Sequence, residues 1–354
     1  DDQFNTATGT SAIKPTTTGT NNTANGYQAL FNLTTGNNNT ASGFKALLNN
    51  TEGNGNTASG VNALRANTIG IQNTASGTGT LQDNTTGDFN TASGFRALYK
   101  NTTGDNNTAS GSLAPYSNTE GNYNTASGYQ ALYENTEGNG NTASGYQALY
   151  GNTEGYGNTA SGYQALYGNT TGYQNTASGQ AALLSNTTGN SNTASGYQAL
   201  NANITGSNNT AIGKEADVTS GDFTNATAIG YNAKVNASNK VRIGSTSVTV
   251  IEGQVAFTTS SDARLKENIA TIENGLAFIN DLNPVSYHRI SSDSDDIEMG
   301  LLAQEVQETL AAHGLAKSGM VHHPNEDAYR SVRYNDLMAP MSKAIQEVDA
   351  QRTT

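Results

Sequence analysis

From residue 5 to about residue 240 the chain repeats with a fixed period of 17. The motif Asn-Thr-Ala-Ser-Gly starts at Asn39, Asn56, Asn73, Asn90, Asn107, Asn124, Asn141, Asn158, Asn175 and Asn192, with variants at Asn5, Asn22, Asn209 and Ala226. Linkers drift in length, whereas these fourteen units carry no insertion. Each must therefore stack on the next, which makes a solenoid rather than a globule. With hydrophobic residues at 34% and charged residues at 13%, the chain is polar yet too weakly charged for ordinary charge-driven disorder.

A typical unit runs from Asn141 to Gly157 and reads NTASGYQALYGNTEGYG. Two turn signals stand in it, Thr-Ala-Ser-Gly and Asn-Thr-(Thr/Glu)-Gly, because glycine supplies positive φ and Asn or Thr bonds the neighbouring backbone. Stretches such as Tyr146–Tyr150 lie between them, too short for a helix, and are predicted as short strands. Leu30, Leu47, Leu64 and their successors to Leu200 form one apolar column, broken at Pro115, with an Ala column beside it. The expected fold is a parallel β-roll or β-solenoid about 60 Å long at about 4.8 Å per coil. So thin a coil has little core of its own, which predicts that several chains share their apolar columns. Tyr129, Tyr133, Tyr146, Tyr150, Tyr163 and Tyr167 hold fixed repeat positions and are read as packing ladders rather than sugar-binding platforms. Glu52, Glu120, Glu137 and Glu154 recur as letters of the repeat, so no metal, cofactor or glycosidase carboxylate pair is expected.

A net charge of −12 and the lack of any basic run argue against nucleic-acid binding. No apolar run approaches 18 residues, so no membrane insertion is expected, and no secretory signal is visible. Without cysteine there are no disulfides and no thiolate zinc sites. The chain opens inside a repeat, and we expect sequence upstream of Asp1.

We divide the chain into a shaft (1–234), transition strands and a linker (235–260), and a small α+β domain (261–354). In the transition, Val241–Ile243, Val248–Ile251 and Val255–Phe257 are predicted strands. Beyond it, Leu265, Ile269, Ile272, Leu276 and Ile279 follow helical spacing with a break at Asn274-Gly275. Pro284–Arg289 reads as a strand, 300–312 as a helix ended by His313-Gly314, and Tyr329–Tyr334 as a strand. Leu337, Met341, Ile345 and Val348 mark a final helix whose seam suits a coiled-coil stub. His288, His313, His322 and His323 are read as surface residues, and no Ser-His-Asp triad is proposed.

Two resemblances follow from these residues. Thr210-Ala211-Ile212-Gly213 and Thr227-Ala228-Ile229-Gly230 resemble the head repeats of trimeric autotransporter adhesins, which are β-rolls assembled as trimers. The set Ser261-Asp262-x-Arg264-Leu265-Lys266-x-Asn268-Ile269, Pro284-Val285-x-Tyr287, Gly300-x-x-Ala303-Gln304-Glu305-Val306 and Tyr334-x-Asp336-Leu337 resembles the C-terminal intramolecular chaperone of phage tail fibres and endosialidase tailspikes. That resemblance implies a homotrimer and a self-cleaving serine–lysine peptidase. Carried over, the scissile bond is Ser260–Ser261, with Ser261 the nucleophile and Lys266 the base. Ser260 is the competing nucleophile. A lysine can act as base when desolvation lowers its pKa. Five residues span about 140° of a regular helix, so the pair meets only if Ser261 precedes the helix, with Asp262 as N-cap, or if two chains supply it.

The expected function is a trimeric tail-fibre shaft of a phage-like particle that serves attachment to a host surface receptor, its only chemistry one autoproteolysis. The alternatives are a trimeric extracellular adhesin with the same chaperone and a polysaccharide-degrading tailspike whose catalytic part lies upstream.

Overall fold

A computed structural model of the protein describes residues 4–254, 260–288, 290, 297–323 and 329–353. The chain forms two compact units, Asp1–Ser245 and Thr246–Thr354.

The first unit is a solenoid built on a fifteen-stranded parallel sheet. Thirteen three-residue strands, from Thr6–Thr8 to Thr210–Ile212, step along it, followed by Thr227–Ile229 and Val241–Ile243. Thr159, Ala160 and Ser161 stand opposite Thr176, Ala177 and Ser178, each residue against its equivalent 17 further on. The last step is shorter, Thr227 pairing with Val241. The segment 241–243 is thus the final rung of the shaft sheet.

The sheet is made by Thr-Ala-Ser, which the sequence suggested as a turn, while Tyr146–Tyr150 is turn and not strand. The reason lies in side-chain direction. In a strand, neighbours point to opposite faces. Thr142-Ala143-Ser144 obeys this, exposed–buried–exposed. Ala148 and Leu149, by contrast, are adjacent and both wholly buried. The backbone achieves this with positive φ at Gln147 and Leu149, 53° in each case. That region is costly for a bulky side chain, of order 1–2 kcal/mol. It is held by bonds to both neighbouring coils: Gln147 N–H donates to Tyr129 O and Leu149 N–H to Ala165 O, each at 2.9 Å.

The interior of each coil is half polar. Asn158 is fully buried; its backbone N–H and Nδ2 both donate to Asn141 Oδ1 (3.0 and 3.2 Å), and Nδ2 also donates to Gly172 O (2.8 Å). A second column repeats the device: Asn169 Nδ2 donates to Asn152 Oδ1 at 2.8 Å and to Gly172 O at 2.9 Å. These ladders satisfy the turn carbonyls that face inward. The glycine between them is constrained by space, since a Cβ on Gly155 would lie 2.3 Å from Asn152 Oδ1 and 2.4 Å from Gly172 O. The Leu and Ala columns close within one chain, Leu149, Leu166 and Leu183 all being fully buried. Sharing of these columns between chains, expected from the sequence, is therefore corrected: asparagine ladders supply the packing that one Leu per coil cannot.

Tyrosines stack along the axis, Tyr133–Tyr150–Tyr167 with centroids 5.1 Å apart and Tyr146–Tyr163 at 5.1 Å and 5° between planes. Ring faces are consumed by ring faces, which leaves edges and hydroxyls to solvent. At the C-terminal end of the shaft the Leu column is replaced by Asp217 and Lys234, joined at 3.6 Å. Asp217 is 5% exposed and accepts from Val218 N–H at 2.8 Å.

In the second unit Val248–Ile251 is not strand, and 255–257 lies outside the described residues. The helix expected from Ser261 is reduced to a 3-10 turn, Ala263–Leu265; the chain then extends, and helix α1 (Gly275–Asn280) begins where a break was expected. Asn274, at positive φ, turns the chain into that helix instead of ending one. An antiparallel pair, Pro284–Tyr287 with Glu298–Leu301, precedes helix α2 (Ala303–Ala312), so 298–301 is strand and the helix starts three residues later than expected. Arg289 lies outside the described residues. The strand expected over 329–334 is limited to Ser331–Val332, paired with Val321–His322. Helix α3 (Met338–Arg352) closes the unit. Phe278, Val306, Leu310, Met320 and Leu337 form its core.

Two outcomes follow for the shaft. Asn158→Ala leaves Asn175 N–H without its acceptor and removes one of the two donors to Gly172 O, the other being Asn169 Nδ2, and is expected to cost about 1–3 kcal/mol for the group left unsatisfied, read as a lowered denaturation midpoint by circular dichroism. Burial pushes the Asp217 carboxyl above the usual carboxylate range, outweighing its bonds to Val218 N–H, Lys234 and Ala202 N–H. The folded state then holds that proton more tightly, so the contribution of Asp217 is fully favourable below the ordinary Asp value of about 4 and is lost as pH rises through the raised one. Asp217→Asn should therefore melt above wild type at pH 7, with the gap closing as the pH falls through the raised value and levelling off below about 4; a gap that widens on acidification would contradict the assignment.

Candidate functional site

Ser261 precedes the 3-10 turn, and Asp262 caps it, its carboxylate accepting from Arg264 N–H at 2.9 Å. The Arg264 guanidinium returns to the same carboxylate through Nε (3.1 Å) and Nη2 (2.7 Å). This bond holds the Asp262 carboxyl below its ordinary range, and the clamp lies in water, where it shapes the turn more than it stabilises the fold. After the turn Lys266 adopts extended backbone (φ −127°, ψ 143°). Its stem folds back across the turn, and Nζ donates to Ser261 Oγ at 2.7 Å.

The pair five residues apart is thus closed inside one chain by a single tight turn. A regular helix would have set the two side chains 140° apart. Lysine contacts Ser261, the residue after the bond that the sequence resemblance marks for cleavage. Both partners are exposed, and so are the apolar side chains close to them in sequence, Leu265 at 72% and Ile269 at 70%.

The remaining motif letters build the support. Gly300 has no room for a side chain: a Cβ there would lie 2.6 Å from the Tyr334 hydroxyl and 3.3 Å from that of Tyr287. Tyr334 in turn accepts from Leu301 N–H at 2.9 Å. Glu305 accepts from Asn283 Nδ2 at 3.0 Å, tying α2 to the loop before the hairpin. Asp336 pairs with Arg333 at 3.4 Å, and Leu337 enters the core.

One residue escaped the sequence reading. Glu347 on α3 accepts from Gly275 N–H (3.3 Å) and Leu276 N–H (2.7 Å), capping α1 from outside its own segment. Its only sequence signal is a lysine four residues earlier, Lys343, at 3.8 Å, which reads as an ordinary surface pair. Of the histidines, His313 meets Asp281 at 2.8 Å and packs edge-on against Phe278. His322 lies in its short strand, and His288 and His323 follow strand ends. Among the described residues none of the four bonds to Ser261 or Lys266.

Residues 261–315 match the family described as chaperone of endosialidase, Peptidase_S74. The match begins at Ser261 itself and runs through α2 to Leu315. Comparison of the chain with curated proteins returns no match. A long parallel β-solenoid followed by a module similar to this chaperone fits a tail fibre with a C-terminal chaperone.

Proposed function

We propose that the protein is the shaft of a trimeric tail fibre that serves host attachment, assembled by its C-terminal module, which then cuts itself off between Ser260 and Ser261. The observation that carries the cleavage is the 2.7 Å contact from Lys266 Nζ to Ser261 Oγ at the first residue of the chaperone match. In this reading neutral Lys266 takes the proton of Ser261 Oγ, which attacks the carbonyl carbon of Ser260. The C–N bond breaks, the proton passes from the lysine to the departing nitrogen, and Ser260 is left as an ester on Ser261. Water hydrolyses that ester, giving a carboxylate on Ser260 and restoring the hydroxyl of Ser261 beside its new amino group. No cofactor or metal is needed for any of these steps.

A lysine in water is protonated at neutral pH and cannot act as base; it needs desolvation. Leu265 and Ile269 stand exposed close to it in sequence. Helix α3 likewise turns Met341 (50% exposed) and Ile345 (70%) to solvent, next to Leu276 and Ile279 of α1. These residues, with Val348, repeat at coiled-coil spacing. A core of five buried side chains beside this much exposed apolar surface supports assembly with further copies. Assembly then covers Leu265 and Ile269, strips water from Lys266 and switches cleavage on only after trimerisation. The fibre would act outside the host cell, as part of the particle.

Wild type, Ser261→Ala and Lys266→Met are to be compared on a denaturing gel after trimer formation. Fragments 1–260 and 261–354 are expected from wild type alone, and an intact wild-type trimer would falsify the peptidase reading. Met341→Glu combined with Ile345→Glu should remain monomeric by light scattering and lose cleavage at least tenfold in rate. Full cleavage in that monomer would break the link between assembly and chemistry.

A further inference from the structure

We infer that the outer face of the shaft sheet is where parallel copies of this chain meet, a statement that rests on the oligomeric reading above and says which surface it uses.

From Thr23–Asn25 to Thr227–Ile229 each strand of this sheet points one alanine inward and two residues outward. The outward pairs, such as Thr142 with Ser144 and Thr159 with Ser161, form two exposed columns. Apart from Thr8, whose Oγ1 donates to Asn25 Oδ1 at 3.0 Å, no hydrogen bond within the chain is seen for these outward hydroxyls among the described residues. The turn threonines differ: Thr136, Thr153 and Thr170 all donate Oγ1 to the carbonyl of the next coil, at 3.1–3.2 Å. From Thr23–Asn25 to Thr193–Ser195 this face carries no charged side chain. Charges sit on the turns instead, for instance Glu154 and Arg96.

The independent observation is what happens at the end of the sheet. Ser195 stands opposite Ile212, which is followed in register by Ile229 and Ile243, while Thr227 faces Val241. These four β-branched side chains are 47%, 37%, 47% and 64% exposed (Ile212, Ile229, Ile243, Val241); the three isoleucines lie one above another, and Val241 stands in the neighbouring column of the same outer face. A continuous apolar strip on a sheet exposed to water needs a cover.

A second copy fits this face better than any other occupant. In a parallel copy at the same height every coil meets its own equivalent, so hydroxyls oppose hydroxyls and isoleucines oppose isoleucines along the whole sheet. Thr and Ser are short enough for two sheets to approach closely. A chain of net charge −12 can bring copies together only along a neutral surface without stacking like charges. Fifteen rungs at about 4.8 Å and a strip about 10 Å wide give roughly 700 Å² per chain, against about 800 Å² per partner in standard interfaces. The aromatic columns are the weaker candidate. Their rings stack on each other, and the exposed column that holds Tyr146 is interrupted by Val61, Thr78, Ser112, Gln180 and Lys214.

The chain has no cysteine, so single thiols report each face. Ser161→Cys and Ile229→Cys lie on the sheet face, and Glu154→Cys on a turn serves as control. Full-length protein is first sized by light scattering, then treated with maleimide, and separately with a mild oxidant before a non-reducing gel. We expect oligomers in which the two sheet-face variants label at least tenfold more slowly than the control and form covalent dimers on oxidation. Oligomers whose Ser161→Cys thiol labels as fast as that of Glu154→Cys would overturn the assigned face while leaving the oligomer intact. A chain that sizes as a monomer would overturn both this inference and the reading beneath it.

Discussion

Every polar group that a coil turns inward must be satisfied by the coil before or after it, and this requirement governs the whole shaft. A buried amide or carbonyl without a partner costs on the order of 1–3 kcal/mol, and a 17-residue loop has too few side chains to satisfy its own turns. Asn158 solves the problem by reaching both ways, to Asn141 on one side and to Gly172 on the other. Once one coil does this, its neighbour must present the same groups at the same places. Uniformity of the repeat is thus the condition for the interior to be closed.

The same constraint explains what the sequence conveyed and what it concealed. Stacking, period, the Leu and Ala columns and the tyrosine ladders were legible, because each depends only on a residue type recurring at one position. Which segment forms the sheet was not. Val, Ile, Tyr and Phe usually mark strands, and that preference pointed to Tyr146–Tyr150. The adjacency of two buried columns, Ala148 and Leu149, was the stronger signal, since alternation forbids it in a strand. Thr-Ala-Ser carried the alternation, hidden by small side chains that double as turn formers. The buried role of Asn141 and Asn158 was hidden for a related reason, because asparagine in a repeat reads as turn punctuation.

In the C-terminal module the motif letters were legible as a set, and the structure gives most of them a mechanical reason: Gly300 leaves room for two tyrosine hydroxyls, Tyr334 bonds the strand beside it, and Glu305 ties down Asn283. The proximity of Ser261 and Lys266 could be anticipated only on one of two conditions, that the serine precede the helix or that two chains supply the pair. The chain meets the first with a turn shorter than expected, because the Asp262–Arg264 clamp closes after three residues and releases Lys266 into extended backbone. Helical spacing from Leu265 to Ile279 misled, since those apolar residues do not share one helix. Glu347 was illegible because its partners are backbone groups more than seventy residues earlier.

The asparagine ladders also set the unit of inheritance for this shaft. Removing 17 residues rejoins Asn141 to an identical successor and closes the interior again, whereas removing 16 or 18 would set Ala against Thr at the junction and break the asparagine ladder there. Exchange between near-identical coding repeats therefore lengthens or shortens the shaft in whole coils of about 4.8 Å, with either end untouched. Reach becomes a quantity that can be adjusted by copy number, independently of the sequence at either end.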